Sequence, residues 1–303
     1  MLDTVTRADK LIETEHFTRT VEASLCFSRG GGRTVLARQR LPYPFHATRT
    51  FHLDQARPDL ATLYLQSAAG GLYRGDHVAL SITAEPHSAA HVTTQAATIV
   101  NRTHRFPVEQ NTRLEVGEHA FLASTPDPLV LFPGAEISCA TEITLAAGGC
   151  AILTDGLSHH DPEGFGPEGL GPEDLSPEGV GRSFERYSNA VVVRDTAGRI
   201  LLNDRGSITG EAMFAPSSPL GRYRAVGTVF VLGRGAELCD ADLLENRLAA
   251  CGCVAGFSKL PNNAGIGSRV LAADGGTLAR GLEAAFAITF EALIGTPPAR
   301  RRK

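Results

Sequence analysis

A short run of imidazole and carboxylate groups, Ser158-His159-His160-Asp161-Pro162, carries the most metal-like local chemistry in the sequence. Imidazole and carboxylate are ligands that suit borderline divalent ions such as nickel or zinc. Adjacent histidines in a strand point to opposite faces, so His159 and His160 could share one ion only from a loop. A capping or turn role explains the same residues equally well, and the sequence leaves both interpretations open.

A glycine-rich segment, Gly70-Gly71-Leu72-Tyr73-Arg74-Gly75-Asp76-His77, is the second candidate. Its glycines allow positive φ and close backbone approach, which predicts a tight turn that ends at Asp76. The alternation of apolar and polar residues over 78–85 predicts a strand directly after it. A phosphate-binding loop would instead continue with Gly-Lys-Ser/Thr into a helix, and an acidic residue there would repel phosphate. The segment is therefore not a P-loop.

Two further carboxylates, Asp155 and Asp204, each follow an apolar run, Ala151-Ile152-Leu153-Thr154 and Ile200-Leu201-Leu202-Asn203. Apolar runs of this length predict buried strands. Taken alone, each aspartate is typical of a residue that caps a turn at the end of its strand.

Several catalytic and metal-binding signatures are missing from the sequence. Cys251-Gly-Cys253 has no second Cys or His pair at zinc-finger spacing, so two buried thiols near a helix end are the better interpretation. His-Glu-x-x-His and Gly-x-Ser-x-Gly do not occur, and the Ser, His and Asp residues show no triad context. We therefore expect no enzymatic activity.

Composition narrows the class of protein further. The chain has 303 residues, 43% hydrophobic and 20% charged, with a net charge of −4, which is ordinary for a globular protein and argues against nucleic acid or acidic membranes as partners. The first twenty residues lack an apolar signal-peptide core, which predicts a cytoplasmic location. Six cysteines without dense spacing predict reduced thiols.

The pattern along the chain is mainly that of strands. Apolar segments begin at Ala90, Ala120 and Ala151, a spacing of 30 and then 31 residues, which suggests stacked strand units as in a solenoid or β-helix. Helical periodicity appears only near the C-terminus, over about 240–248 and 276–293. An acidic Pro/Glu/Gly repeat at 161–180 predicts a flexible insert, and residues 297–303 predict a disordered basic tail.

Three ordered blocks resemble the urease accessory protein D family, called H in some organisms. They are Gly70-Gly71-x-x-x-Gly75-Asp76, then Thr93-Thr94-Gln95-Ala96-Ala97-Thr98, then Pro126-Asp127-Pro128 with Phe132-Pro133-Gly134-Ala135. The resemblance continues through residues 154–162 and 200–205 and covers most of the chain. It departs where many relatives have Lys at the position of Ile99 and a second acidic residue at that of His77.

The resemblance implies one domain over residues 1–303 with a mainly β, β-helix-like stack of short strands and two helices near the C-terminus. It implies a scaffold that binds apo-urease with the accessory proteins F and G, G being the GTPase, and conducts nickel to the urease active site. The family's metal passage maps onto Asp76, His77, Thr98, Asp155 and Asp204, to which we add His159 and His160. No cofactor would be tightly bound, since nickel is only in transit.

Two other functions are compatible with the same residues. A metal-dependent hydrolase would gather His159, His160, Asp76 and Asp155 around one tightly bound ion. A purely structural clamp would hold urease open while nickel arrives by another route.

Overall fold

A computed structural model describes residues 18–160 and 183–301 of the chain. The insert predicted at 161–180 lies outside the described residues, as do residues 302 and 303. Within these ranges the strands are β1 (Thr20–Gly30), β2 (Arg33–Arg40), β3 (Phe45–His46), β4 (Ala61–Ser67), β5 (His77–Ala84), β6 (Ala89–Thr94), β7 (Ile99–Val100), β8 (Val108–Val116), β9 (Phe121–Thr125), β10 (Leu129–Leu131), β11 (Glu136–Leu145), β12 (Cys150–His159), β13 (Arg186–Asp195), β14 (Ile200–Thr209), β15 (Ala225–Gly233), β16 (Val254–Lys259) and β17 (Gly265–Ala272).

The strands form two sheets. The seven-stranded sheet has the order β14-β13-β11-β8-β5-β1-β2, and the ten-stranded sheet has the order β16-β17-β15-β12-β9-β6-β4-β3 with β7 and β10 attached beside β12. The predicted repeat corresponds to β6, β9 and β12, which are parallel neighbours with Ala90 opposite Leu122 and Leu122 opposite Ala151. Strands β5, β8 and β11 alternate with them along the chain and lie side by side in the other sheet.

The mainly β prediction with helices near the C-terminus is confirmed, but a β-helix-like stack is not. Both sheets end in antiparallel strands, because β13 pairs with β14 and β12 pairs with β15, which pairs with β17. A hairpin connects neighbouring strands of one sheet, so the regular strand-by-strand alternation between the two sheets ends at β13.

The α-helices in the described ranges are α1 (Gly210–Phe214), α2 (Ala241–Ala250) and α3 (Gly275–Ile294). The sequence predicted α2 and α3 and missed α1, which has only five residues and therefore little periodicity. Asp274 caps α3 by accepting a hydrogen bond from Thr277 N at 2.7 Å, and Gly295 ends it with φ 85°. Phe286 and Phe290 of α3 pack with Ile152 on the outer face of the ten-stranded sheet. No described helix combines the length and apolar character that crossing a bilayer requires.

The C-terminal segment differs from its predicted disorder at residues 297–301. Arg301 is 8% exposed and pairs with Asp54, Nη2 to Oδ2, at 2.8 Å, and Ala299 N donates to Asp54 Oδ1 at 2.6 Å. Arg301 Nε also lies 3.3 Å from His91 Nδ1, and the His91 ring stacks on Phe286. The sequence predicted a solvated end because the run is basic. It could not reveal the ion pair, since Asp54 lies 247 positions before Arg301.

The space between the two sheets holds two apolar clusters. The first core includes Leu153 and Val191, and the second core includes Leu157 and Tyr187. Leu153 and Leu157 lie on β12, and Val191 and Tyr187 lie on β13, so both strands pass from one core to the other. Burying these side chains contributes roughly 1.5–3 kcal/mol each to folding and fixes how the sheets face each other.

Candidate functional site

Polar side chains separate the first core from the second. On β12, Asp155 stands between Leu153 of the first core and Leu157 of the second. Strands β13 and β15 repeat this pattern with Asn189 and Thr228 at the equivalent places. Side chains two residues apart on a strand point the same way, so the three polar groups face the space between the sheets. We call Asp155, Asn189 and Thr228, with Asp204 and Arg269, the polar layer.

Hydrogen bonds connect the polar layer across the two sheets. Asn189 Nδ2 donates to Asp155 Oδ2 at 2.6 Å, which joins β13 of the seven-stranded sheet to β12 of the ten-stranded sheet. Arg269 donates to both oxygens of Asp204, at 2.7 and 2.6 Å, and to Thr228 Oγ1 at 2.5 Å. Thr228 also donates a side-chain hydrogen bond to Asp155, so Asp155 and Asp204 are linked through Thr228 and Arg269.

The two ends of the layer differ in their surroundings. The side chains of Arg269 and Asp204 are 48% and 25% exposed, whereas Asp155 is half-buried between the buried side chains of Leu153 and Leu157. Burial raises the pKa of the Asp155 carboxyl, and the hydrogen bonds from Asn189 and Thr228 oppose this shift. The positive charge of Arg269 also lowers this pKa, while Asp204 raises it. A carboxylate that burial has made costly is stabilised strongly by any cation that reaches it.

Burial also affects the groups next to Asp155. It raises the pKa of Cys139 to about 12, with the charge of Asp155 as the second cause, and it raises the pKa of Tyr187. Both groups are therefore neutral at physiological pH. A thiol is a much weaker metal ligand than a thiolate, so an ion here would be held by oxygen ligands and could leave again.

The structure corrects how Asp155 and Asp204 were placed. The sequence predicted that each ends its strand and caps a turn, but β12 continues to His159 and β14 continues to Thr209. The apolar runs end at these positions because the strands carry polar side chains there, and the strands themselves do not end. Backbone pairing continues through both aspartates. Sequence reasoning missed Asn189, because a single amide in a strand is usually solvent-exposed.

Asp76 and His77 lie away from the polar layer, at the start of β5. Asp76 is 3% exposed, accepts a hydrogen bond from Tyr73 N at 2.8 Å and is paired with Arg19. Through this hydrogen bond its carboxylate stabilises the glycine-rich turn that the sequence predicted before Asp76. His77 Nδ1 lies 3.1 Å from Glu109 Oε2, with both side chains substantially exposed.

The remaining predicted residues lie near β7, β10 and the end of β12. Thr98 O accepts a hydrogen bond from Val130 N at 2.9 Å, and Thr98 directly precedes β7. His159 is the last residue of β12, and its Nδ1 lies 3.0 Å from Leu131 O, with its ring against Phe214 at 5.1 Å. The His160 ring packs instead against Phe132 at 5.7 Å.

The seven predicted residues therefore fall into separate groups, of which Asp155 and Asp204 are the pair that the structure links through shared partners. Across residues 18–160 and 183–301, no three His, Cys, Asp or Glu side chains are arranged to hold a metal ion. Within those residues, the hydrolase built on one ion at His159, His160, Asp76 and Asp155 gains no support. A series of weak oxygen ligands is what the described residues can provide.

Comparison with known proteins gives consistent matches along nearly the whole chain. The family model described as UreD urease accessory protein matches residues 20–303. Urease accessory protein UreD 1 of Methylorubrum extorquens (strain PA1) is 50% identical over 286 residues, covering 94% of this chain and 92% of the relative. Urease accessory protein UreD 3 of Bradyrhizobium sp. (strain ORS 278) is 41% identical over 285 residues, covering 94% and 95%. Urease accessory protein UreD 1 of Pseudomonas syringae pv. syringae (strain B728a) is 32% identical, covering 93% and 95%.

Proposed function

We propose a function from one established premise, that this chain belongs to the UreD family of urease accessory proteins. In our proposal it is a non-catalytic scaffold in the cytoplasm that binds the urease apoprotein together with accessory proteins F and G. Its task is to conduct nickel toward the urease active site, so the ion is cargo and no cofactor is tightly bound.

The observation that carries this proposal is the polar layer between the two cores. A partly desolvated divalent ion needs oxygen ligands at each step, because its transfer into an apolar interior is very costly. Asp204 near the surface and Asp155 further inside provide two carboxylates, and Asn189 and Thr228 add neutral oxygens beside them. Neither carboxylate belongs to a closed set of ligands in the described residues, which favours transit over storage.

Arg269 would control entry to this route. Its guanidinium already holds both oxygens of Asp204, so an arriving cation has to displace it. A pair with side chains 48% and 25% exposed exchanges at modest cost, since surface ion pairs contribute only about 0–1 kcal/mol. In our proposal the layer is therefore closed at rest and opens by exchange of one cation for another.

The structural clamp is the alternative that the test must exclude. In the test, Asp155 and Asp204 are replaced together by Ala in the full chain, which is co-expressed with urease and with accessory proteins F and G. The matched control replaces Asp242 and Glu245, two exposed carboxylates of α2, by Ala. Pull-down of the partners reports binding, while nickel content and urease activity report delivery.

We expect both variants to bind the partners like the unchanged chain, and we expect only the Asp155/Asp204 variant to give urease with less nickel and less activity. Full nickel content in urease made with that variant would reject conduction through the layer and favour the clamp. Failure of the unchanged chain to capture any of these partners would reject the scaffold function itself. Robust metal-dependent turnover by the purified chain alone would reject the non-catalytic assignment.

A further inference from the structure

A cavity of about 190 Å³ lies where the turns between the two sheets stack on each other. None of the seven residues of the predicted metal passage lines it. Its wall instead concentrates basic groups, and the polar lining residues are Arg29, Arg57, Arg234, His87, His119, Asp59, Ser88 and Cys150. Such a set can bind negatively charged oxygen atoms, and it is separate from the polar layer.

The two histidines are positioned by equivalent turns of successive repeats. His87 lies between β5 and β6, His119 between β8 and β9, and Gly148 between β11 and β12. All three have left-handed backbone conformation, with φ of 61°, 54° and 68°. The rings of His87 and His119 stack with their centroids 5.4 Å apart, and a Cβ at Gly148 would collide with the His119 ring. Glycine at the third turn therefore makes room for the imidazole pair on the cavity wall.

Left-handed φ is sterically disfavoured for histidine, which carries a Cβ, and such conformations tend to occur at functional sites. The turns would form more readily with glycine, as the third turn shows. Because His87 and His119 line the cavity, the conformation places their imidazoles beside the guanidinium groups.

The arginines differ in how far their charges are already matched. Arg57 makes a two-pronged pair with Asp59, at 2.8 and 2.9 Å, and is neutralised by it. Arg29 lies 3.6 Å from the same carboxylate, so it shares a charge that is already used. Arg234 donates to Gly148 O at 3.1 Å and lies within hydrogen-bonding reach of Cys150, with no described carboxylate at ion-pair distance. Arg234 therefore has the most charge available for a ligand.

Three features oppose an anion, and together they do not cancel the basic groups. Asp59 lines the cavity but is paired with Arg57, and Glu118, which lies 3.8 Å from His119, is 61% exposed and screened by water. The last turn of α3 lies on the wall, and a helix C-terminus carries about half a negative charge. The three arginines outweigh the one aspartate and the half charge of the helix terminus, so the cavity wall keeps a net positive charge.

We propose that this cavity binds a small free oxyanion of the phosphate or sulfate class, with Arg234 as its principal partner. Guanidinium groups suit the paired oxygens of such anions, and imidazole N–H groups add further donors. The volume holds a tetrahedral oxyanion with water, but it is below the roughly 300–1,000 Å³ of pockets that enclose larger organic ligands. Apolar side chains of Leu293 and Ile294 close one side and limit the size of the ligand.

The test titrates inorganic phosphate, and separately sulfate, into the purified full-length chain by calorimetry at constant ionic strength. Arg234→Gln removes the principal charge, Arg234→Lys keeps it without the planar fork, and Arg247→Gln removes an exposed arginine of α2 as the matched control. We expect Arg234→Gln to weaken phosphate binding about tenfold, as the loss of one charge-assisted hydrogen bond predicts. Arg234→Lys should lie between, and Arg247→Gln should bind like the unchanged chain.

Absence of saturable binding by the unchanged chain overturns the proposal, and so does an equal loss in Arg234→Gln and Arg247→Gln, which would indicate diffuse attraction. ADP is the arm that identifies the source of the oxyanion, and tighter binding of ADP than of phosphate, dependent on Arg234, would reject a small free anion. Thermal unfolding without phosphate checks that each variant is folded. If Arg234→Gln does not fold, His119→Asn replaces it, because Asn tolerates left-handed φ, and unchanged phosphate affinity in that variant overturns the proposal.

Discussion

The Arg301–Asp54 and Arg269–Asp204 pairs each join distant parts of this chain, and they differ in burial. The side chains of Arg301 and Asp54 are 5% and 2% exposed, whereas those of Arg269 and Asp204 are 48% and 25% exposed. The same pair of functional groups therefore serves two purposes. A buried pair cannot be opened without leaving a charge in a low-dielectric interior, while a partly exposed pair can exchange its partner for water or an ion.

The surroundings strengthen this difference. Asp54 also accepts the backbone N–H of Ala299, and Arg301 also contacts His91, so the buried pair fixes the end of the chain on the ten-stranded sheet. Arg269 instead joins β17 to β14, strands that belong to different sheets. We interpret the Asp54–Arg301 pair as a fixed attachment and the Asp204–Arg269 pair as an exchangeable one.

The largest effect should come from breaking the fixed attachment. Arg301→Met leaves the Asp54 carboxylate buried without its partner, which should lower the free energy of unfolding by about 3–5 kcal/mol. Urea denaturation of the full chain measures this, with Arg300→Ala as the control, because that neighbouring side chain is exposed. Adding Asp54→Asn to Arg301→Met should recover part of the loss, and a loss below about 1 kcal/mol in Arg301→Met would remove the distinction between the two pairs.

Asp76 should give an intermediate effect, since it is buried but its partner Arg19 is partly exposed. Asp76→Ala removes the acceptor for Tyr73 N and the ion pair, which should cost about 2 kcal/mol in the same denaturation experiment. Asp76→Asn keeps an oxygen for Tyr73 N and should cost less. Equal losses in both variants would show that the ion pair, and not the turn hydrogen bond, is what matters at this position.

The sequence alone could not predict several of these contacts. Strand periodicity and the spacing of Ala90, Ala120 and Ala151 predicted β6, β9 and β12, because a period of two is a local property. The pairing of Arg301 with Asp54 depends on tertiary structure across most of the chain, and basic tails usually remain in solvent.

The sequence likewise predicted only part of the candidate site. Asp155 and Asp204 were selected through a family resemblance, since each alone resembled a turn cap. Asn189, Thr228 and Arg269 carry no local signal, and they become recognisable only when the two sheets place them against those carboxylates. Residue types on one strand predict which face is buried, but not which side chains of another sheet they meet.

Arg269→Gln should have a small effect on the stability of the chain and a larger effect on nickel incorporation into urease. Loss of a partly exposed pair should lower the free energy of unfolding by at most about 1 kcal/mol, well below the effect of Arg301→Met. If Arg269 controls entry to the layer, the variant co-expressed with urease should change the rate of nickel incorporation while partner pull-down stays the same. A loss of stability equal to that of Arg301→Met would show that both pairs are structural attachments.

The smallest effect on stability, and the only one with a positive sign, is expected for Asp155→Asn. Burial raises the pKa of Asp155 above its ordinary value, so the folded chain binds a proton more readily than the unfolded chain. Stability therefore decreases as pH rises from the unfolded pKa, near 3.8, through the raised folded pKa, and above it the charged form is a constant cost. Asn keeps an oxygen for Asn189 Nδ2 and cannot ionise, so the variant should gain stability relative to the unchanged chain as pH rises.

Urea denaturation at several pH values measures this difference, and Asp242→Asn on the surface of α2 is the control. A stability difference that does not change with pH would show that burial does not raise the pKa of Asp155. The proposed difference between Asp155 and the more exposed Asp204 would then be wrong.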